Sequence, residues 1–406
     1  MKNSGDNSRR RFLKAGVTGL AGMTILPALS GKGTGRESSE EKKELKIVKR
    51  TLGKTGLELP VVSVGAGAAQ APEIIAAALD MGIVHLDTAN SYGRGRNEEM
   101  IGEVIKGRPR DSFVITTKVT GAEDRRTGLF NKGATTEMFI EKFETSLGRL
   151  GIDYVDILLI HSVATEGATN HEPFLEALVK MKKDGKARAI GVSTHANEPE
   201  VIEAVAKSDI HEVVLTAYNF QQPHLDEMHR TMELAAEAGK GIIAMKTQAG
   251  VWWDESREQM IDMKAALKWA ISNKNVHTTI PGIDSIAHLE ENASVMNDLK
   301  LTNEDRKALQ LSMHSGGPGL YCDQCGECVK QCVADIDIPT MMRCYMYVYG
   351  YRDLAKAKAA MEKVDFTSAP CGDCHACRVS CKMGFDVRRK LTDIARLRDV
   401  PEEFIV

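Results

Sequence analysis

The chain has 406 residues, of which 43% are hydrophobic and 27% are charged, and its net charge is −3 at neutral pH. These are ordinary values for a globular protein and exclude a disordered or collagen-like chain. The slightly acidic balance argues against a nucleic-acid-binding protein, which usually carries a basic surplus. No apolar run reaches the ~18 residues of an ordinary transmembrane helix.

The first 30 residues have the order of a signal peptide. Residues 8–14 (SRRRFLK) are basic, residues 15–27 are apolar, and small residues follow at 28–30. The SRRxFLK pattern resembles the twin-arginine signal, which implies export of the folded protein to the periplasm by the twin-arginine machinery. A basic start that stays in the cytoplasm is the alternative. Residues 31–45 are expected to be a flexible leader, and we expect no membrane span once the signal is removed.

Eight short apolar runs alternate with amphipathic stretches along the middle of the chain. Because the runs show little polar alternation, they are typical of parallel strands covered on both faces. Strands are predicted at residues 61–64, 83–86, 113–116, 155–160, 189–192, 213–215, 241–245 and 277–280. Eight strand–helix units in about 250 residues favour an α/β fold, a (β/α)8 TIM barrel, over residues 46–313. An open, doubly wound sheet is the alternative.

Two glycine-containing segments flank the first predicted strand. Residues 49–60 are predicted to form a hairpin that closes the floor of the barrel. Gly65, Ala66 and Gly67 follow the strand, but the segment matches the dinucleotide fingerprint too poorly to predict a Rossmann site.

Polar side chains stand at the ends of three successive predicted strands. Asp87 and Tyr92 follow the second strand, Lys118 ends the third, and His161 ends the fourth. These ends meet at the barrel mouth, the face that carries active sites in such folds. Lys118 would lower the pKa of the Tyr92 phenol, Asp87 would hold Lys118, and His161 could orient a carbonyl oxygen. Together they predict a carbonyl reductase, although each alone is more often a structural ion pair or a packing residue.

The segment DTANSYG at residues 87–93, followed by Glu99, Gly102, Lys118 and His161, resembles the signature of the aldo/keto reductases. The resemblance spans residues 50–312. It implies that Asp87, Tyr92, Lys118 and His161 are catalytic, with Tyr92 as the general acid, and that the substrate is a small carbonyl or alcohol. It also implies NADP(H) or NAD(H), possibly tightly held, lying across the barrel mouth without a Rossmann domain.

The same resemblance implies cofactor contacts along the later strand ends. Ser193 corresponds to the residue that holds the nicotinamide amide, while Thr194 stands where an Asn is usual and Met245 where an aromatic stacks. The full set is Ser193, Thr194, Met245, Lys246, Gly282, His288, Glu291 and Asn292. The Lys–Ser and Arg that grip the 2′-phosphate in many members are replaced here, so NADP(H) is not favoured over NAD(H).

All nine cysteines lie between residues 322 and 381, mostly in two runs of identical spacing. Both runs resemble the bacterial ferredoxin pattern CxxCxxCxxxC, which implies two [4Fe–4S] clusters. That resemblance also implies crossed ligand sets, in which each cluster takes three cysteines from one run and the fourth from the other. The first set is Cys322, Cys325, Cys328 and Cys381, and the second is Cys371, Cys374, Cys377 and Cys332.

Three other interpretations of the cysteines fit less well. Zinc prefers paired CxxC units, and disulfide frameworks do not use closely spaced duplicated runs. The sequence CGDCH at 371–375 matches a covalent haem motif, but its cysteines belong to the duplicated run. Cys344, outside both runs, is expected to be a buried apolar residue. Residues 339–363 are predicted to be helical, so residues 314–406, here called the tail, resemble a small α-helical ferredoxin-like iron–sulfur domain appended to some aldo/keto reductases.

These features together predict an exported oxidoreductase that interconverts a carbonyl and an alcohol and is coupled to electron transfer through two clusters. A separate redox protein would be its electron-transfer partner. The alternative is an iron–sulfur electron-transfer protein whose barrel no longer binds nicotinamide, with clusters that are redox-active or only structural.

Overall fold

A ring of eight parallel strands forms the centre of the structure. Two short antiparallel pairs of strands accompany the ring. One pair precedes it in the chain, and the other lies in the connection between two of its strands. In chain order the strands are β1 (Lys49–Thr51), β2 (Glu58–Pro60), β3 (Val64–Gly65), β4 (His85–Asp87), β5 (Val114–Val119), β6 (Glu123–Asp124), β7 (Leu129–Phe130), β8 (Val155–Val163), β9 (Ala187–Thr194), β10 (Val213–Ala217), β11 (Gly241–Met245) and β12 (Thr278–Thr279).

The ring is closed. Its strands follow the order β3-β4-β5-β8-β9-β10-β11-β12, and parallel bridges from Val62 to Thr279 and from Gly65 to Gly282 join the last strand to the first. Closure confirms the barrel prediction and excludes the open sheet. Gly65 is required at this seam, because a Cβ there would lie 2.7 Å from the carbonyl oxygen of Ile280.

Helices alternate with the strands and cover the outside of the ring. They are α1 (Pro72–Asp80), α2 (Arg96–Ile105), α3 (Thr136–Leu150), α4 (Glu166–Thr169), α5 (Glu172–Lys183), α6 (Glu198–Lys207), α7 (Leu225–Glu237), α8 (Met263–Ser272), α9 (Ile286–Ser294) and α10 (Asn303–Met313). In α3, Phe139, Phe143 and Leu147 recur at four-residue spacing and are buried. The Thr135 side chain caps the start of this helix, and Gly151, at φ +66°, ends it.

The predicted hairpin closes the floor of the barrel. Strands β1 and β2 pair antiparallel, and Leu52, Leu57 and Leu59 pack with residues inside the ring such as Leu159 and Val213. Apolar burial therefore seals the end of the barrel opposite the mouth, and this prediction is confirmed.

The described part of the tail is helical and has its own apolar cluster. Its helices are α11 (Glu327–Gln331), α12 (Ile338–Met346), a π-helical turn (Tyr347–Tyr351), α13 (Leu354–Met361) and α14 (Val387–Ala395). We call residues 338–351 the tail helix, and most of α12 is buried. The helical stretch expected at 339–363 is confirmed at residues 339–351 and 354–361, with a break at Arg352 and Asp353.

The tail packs against the mouth end of the barrel. Trp252, which follows β11, joins the apolar cluster of the tail. Arg94, in the loop after β4, pairs with Glu362 at 3.3 Å, and Glu255 accepts from Arg389 at 3.0 Å. Residues 45–406 accordingly form one compact unit.

The computed structural model describes residues 45–405, except 125, 126, 223, 251, 253, 254, 257, 259, 314–318, 323, 363, 365, 367–370, 372, 373, 375 and 376. The expected signal and nearly all of the leader lie outside this described part. Within it, no helix combines the length and the apolar character needed to cross a bilayer.

Candidate active site

A buried ion pair lies at the barrel mouth. Asp87 ends β4 and Lys118 lies near the end of the neighbouring β5, and their residues are 2% and 1% exposed. The Lys118 Nζ donates to Asp87 Oδ2 at 2.5 Å and to the carbonyl oxygen of Thr88 at 2.7 Å. The ammonium is therefore paired and hydrogen-bonded, as a buried charge must be.

Tyr92 lies directly beside this pair. Its hydroxyl is 3.5 Å from Lys118 Nζ, and the same nitrogen is 5.0 Å from the centre of its ring. Gly67, in the loop after β3, makes room for the ring, since a Cβ there would be 2.9 Å from it. The glycines of this loop thus serve close packing.

A β-bulge places His161 at the same spot. The register between β8 and β9 shifts between Ile160 and Val163, and Ser162 adopts a left-handed φ of +63°. An extra residue at a strand end re-aims its neighbours. The His161 ring lies edge-on to Tyr92, with centroids 5.7 Å apart. The structure therefore brings together all four residues that the sequence singled out.

The pKa of Tyr92 differs from the sequence expectation. Burial raises the pKa above its ordinary value, and this outweighs the opposing effect of Lys118. The negative charge of Asp87 and the nearby Tyr347 raise it further. The expectation of a net lowered pKa was wrong because the sequence does not reveal how completely the phenol is enclosed. Burial alone would lower the pKa of Lys118, but Asp87 and Tyr92 raise it.

A second buried carboxylate supports the loop that carries Tyr92. Glu98 is fully buried, accepts a hydrogen bond from Thr117 Oγ1 at 2.7 Å and pairs with Arg149 at 3.2 Å. Arg149 also donates to the carbonyl oxygen of Asn90. Glu99, which the sequence comparison emphasised, is exposed. The buried carboxylate that pairs with Arg149 is therefore the adjacent Glu98 and not Glu99.

The expected nicotinamide contacts Ser193 and Thr194 are buried and engaged by the backbone. Ser193 Oγ accepts from the amide of Ser162 at 3.0 Å, and Thr194 Oγ1 donates to the carbonyl of Ala196 at 2.8 Å. Met245 faces the lumen of the barrel among apolar residues. In the described structure, both hydroxyls are thus already hydrogen-bonded to the backbone. A nicotinamide amide would have to displace these bonds in order to bind them.

The remaining expected cofactor residues follow β11 and β12. Asn292, in α9, accepts from Gln248 at 2.8 Å, which links the loop after β11 to this helix. His288 is exposed and pairs with Asp284 at 2.5 Å. Gly282 is exposed and Glu291 partly so. Lys246 adopts a left-handed φ of +54° at the end of β11.

The tail contributes residues to the barrel mouth, which the sequence analysis missed. Tyr347 lies close enough to Tyr92 to raise the pKa of its hydroxyl. Arg343 lies close enough to His195 to lower the pKa of that imidazole, which burial, Lys246, His161, Arg343 and Lys118 together hold well below its ordinary value. The rings of His195 and His161 are 6.2 Å apart. The amino-acid sequence carries no local pattern that places Tyr347 and Arg343 near the barrel mouth.

The cysteines come together in crossed sets. Burial raises the pKa of Cys322 to about 12, and Cys328, Cys381 and Cys325 lie close enough to contribute. Burial also raises the pKa of Cys371, with contributions from Cys377, Cys332 and Cys374. We call these groups the first and second thiol sets. Each contains the fourth cysteine of the opposite run.

The second thiol set lines a small void that is partly open to solvent. All four of its cysteines line the void, together with apolar side chains such as Ile336, Val379 and Leu391. Cys344 lies outside both sets and is fully buried. Among the residues that the structure describes, no three His, Cys, Asp or Glu side chains converge in a way that could hold a metal ion.

Comparison with known proteins agrees with this geometry. The family model described as "Aldo/keto reductase family" matches residues 65–266. The L-glyceraldehyde 3-phosphate reductase of Escherichia coli O157:H7 is 25% identical over 334 residues, which cover 67% of this chain and 94% of that protein. A solved thermostable aldo-keto reductase in complex with the inhibitor epalrestat is 27% identical, with a TM-score of 0.54 over 66% of this chain and 100% of that one.

A third similar protein, an aldo/keto reductase from Klebsiella pneumoniae solved with NADP and acetate, is 22% identical. Its TM-score is 0.50, over 65% of this chain and 95% of that chain. It shares the fold, and that structure holds NADP. The family-model match over residues 65–266 assigns the barrel to the aldo/keto reductase family. The chain is an oxidoreductase that acts on carbonyl or alcohol groups.

The raised pKa of Tyr92 predicts a particular pH profile. Carbonyl reduction needs the protonated phenol, so kcat/KM should stay flat through neutral pH and fall only above pH ~10. Replacing both members of the ion pair (Asp87→Asn with Lys118→Met) removes the positive charge that lowers the pKa of Tyr92 against the effect of burial. The alkaline limb of the profile should therefore move to higher pH while the rate falls. Lys142→Met, a lysine outside the site, is the control. An alkaline limb that stays in place would contradict the role of Lys118.

Proposed function

We propose that this protein is an exported aldo/keto reductase-type enzyme in which Tyr92 exchanges a proton with the substrate, and that the tail carries two [4Fe–4S] clusters for electron transfer. The observation that carries the catalytic part is the approach of Lys118 Nζ to the Tyr92 hydroxyl at 3.5 Å, with His161 edge-on to the same ring.

The four residues divide the work of carbonyl reduction. Tyr92 donates its hydroxyl proton to the carbonyl oxygen as that oxygen gains negative charge. Lys118 stabilises the resulting phenolate, and Asp87 holds Lys118 in position. His161 orients the carbonyl oxygen by a hydrogen bond. A nicotinamide dinucleotide, when bound, supplies the hydride that reaches the carbonyl carbon. In alcohol oxidation the proton returns to the phenolate.

NADP(H) or NAD(H) is the hydride donor in this proposal. Family membership supports it, and so does the placement of Ser193 and Thr194 at the end of β9, of Lys246 just after β11 and of Asn292 in α9. A second candidate function has one observation in its favour. The tail helix approaches the mouth near Tyr92, where it could narrow access for a dinucleotide. In that case electrons would reach the substrate site from the tail alone.

Replacing Tyr92 tests the catalytic role. Tyr92→Phe should lower kcat by about 100-fold to 10,000-fold, the usual contribution of a general acid, because only the hydroxyl is lost. Turnover of aldehydes is measured in the full chain with NADPH, with NADH and with a reduced viologen dye. Tyr154→Phe, which changes a tyrosine stacked under Arg110 away from this site, is the matched control.

Unchanged turnover in Tyr92→Phe would refute the catalytic assignment. Turnover with the dye but with neither dinucleotide, lost in Tyr92→Phe, would replace the main proposal with the second candidate.

The cysteines fit the proposed clusters. Each thiol set would supply four sulfur ligands, and the second set lines a partly open void together with apolar side chains, as cluster ligands commonly do. The first set would hold one cluster through Cys322, Cys325, Cys328 and Cys381. The second would hold the other through Cys332, Cys371, Cys374 and Cys377. Such clusters supply one-electron transfer.

Cysteine variants test both the clusters and their crossed ligation. Protein purified without oxygen should contain about eight iron atoms per chain. By electron paramagnetic resonance, Cys325→Ser and Cys381→Ser should alter the same cluster signal, while Cys374→Ser and Cys332→Ser alter the other. Cys344→Ala is the control and should leave both signals intact. Grouping of Cys381 with Cys374 would refute the crossing, and zinc in place of iron would refute the clusters.

Export is proposed from the pattern at residues 8–14. Arg9→Lys combined with Arg10→Lys should keep the protein in the cytoplasm, because the twin-arginine machinery reads that pair. Arg11→Lys changes a position where the pattern has no requirement and should be exported normally. Cell fractionation measures the result. Wild-type protein found only in the cytoplasm would overturn the proposal.

A further inference from the structure

We propose that Arg343, supplied by the tail helix, binds an anionic group of the substrate at the barrel mouth, so that the enzyme acts on carbonyl compounds bearing a carboxylate or phosphate. This inference rests on the proposed catalytic role of Tyr92. It concerns a residue outside the barrel, which the family resemblance does not reach.

One face of the tail helix is turned to the barrel mouth. Arg343, Tyr347 and Tyr351 follow at four-residue spacing, which places them on one side of a helix. Arg343 influences His195, and Tyr347 influences Tyr92. A Cβ on Gly250, which follows β11, would lie 3.9 Å from the Tyr351 hydroxyl. Three consecutive turns thus face three different loops of the mouth.

The guanidinium of Arg343 is hydrogen-bonded to two neutral side chains of the tail. It donates to Gln324 Oε1 at 3.2 Å and to Thr340 Oγ1 at 2.9 Å. In the part of the chain that the structure describes, it forms no ion pair. Arginine has five N–H donors in a planar fork, so further donors are left for an oxyanion.

A buried polar atom on the barrel side points to a ligand at the same place. The Nδ1 of His195 is buried and has no hydrogen-bond partner among the described residues. Such orphaned atoms are rare in native structures and mark a missing partner. His195 stays neutral, because burial and the nearby Lys246 and Arg343 lower its pKa. A neutral imidazole can donate one N–H to an oxyanion that Arg343 also binds.

The position favours the substrate over the dinucleotide as the source of the oxyanion. Tyr347, one turn along from Arg343, approaches Tyr92, where the reacting carbonyl would lie. One turn of helix rises ~5 Å. The anionic group would therefore be about that far from the carbonyl, as in a short oxo acid or a phosphorylated aldehyde.

The experiment compares two aldehydes of the same chain length in the full, anaerobically purified protein. Succinic semialdehyde carries a carboxylate and butanal does not. In wild type, kcat/KM should favour the charged aldehyde. Arg343→Gln should lower this ratio by about 10- to 100-fold, the value of a charge-assisted hydrogen bond, and Arg343→Lys should restore part of it. Arg396→Gln, an exposed tail arginine paired with Asp393, should keep the wild-type ratio.

A binding measurement separates this inference from the proposed catalysis. Calorimetric titration with succinate should show binding to wild type and to Tyr92→Phe, and loss of binding in Arg343→Gln. Iron content and circular dichroism confirm that each variant is folded and loaded. An unchanged aldehyde ratio, or a rise in KM for NADPH alone, would overturn the inference even if Tyr92 proves catalytic. Loss of turnover in Tyr92→Phe with unchanged succinate binding would leave both proposals standing.

Discussion

The ion pair between Asp87 and Lys118 is the interaction on which the candidate site depends. The 2.5 Å contact joins the ends of two neighbouring strands inside the barrel, and it keeps an ammonium charged where water is excluded. Without Asp87, burial would favour loss of that charge. Without the charge, nothing in the described site would oppose the burial of the Tyr92 phenol. The parallel ring, the closed floor and the bulge at His161 all serve to bring these few atoms together.

Residues of the tail also influence the chemistry of this site, which the barrel residues form. Tyr347 lies close enough to raise the pKa of Tyr92, and Arg343 adds positive charge near His195. Salt bridges such as Arg94–Glu362 are exposed and contribute little by themselves. The apolar contact through Trp252 and the partly buried Glu255 with its two tail cations are the stronger links between the two parts. Chemistry at the mouth is therefore a property of the whole chain.

Much of this arrangement could be predicted from residues close together in sequence. The barrel strands are mostly apolar runs, and Asp87, Lys118 and His161 stand at the ends of three successive predicted strands, so topology alone brings them together. The first strand is predicted at 61–64, and the structure has a parallel bridge at Val62 and then β3 at Val64–Gly65, because Gly65 extends the ladder beyond the apolar run. Glu98 was overlooked in favour of Glu99, since neighbouring identical residues carry no sign of which one turns inward. The raised pKa of Tyr92 and the position of Arg343 depend on packing between distant segments, which local patterns do not encode.

The crossed thiol sets impose an order on biosynthesis. The tail helix lies in sequence between the two cysteine runs, and each set needs a cysteine from both sides of it. Neither set is complete until cysteines of the second run have left the ribosome, at Cys377 for the second set and at Cys381 for the first, and the barrel has by then been fully translated. A growing chain therefore passes through a stage in which a finished barrel is still uncovered. The tail residues near Tyr92, such as Tyr347, are the last part of the site to be translated.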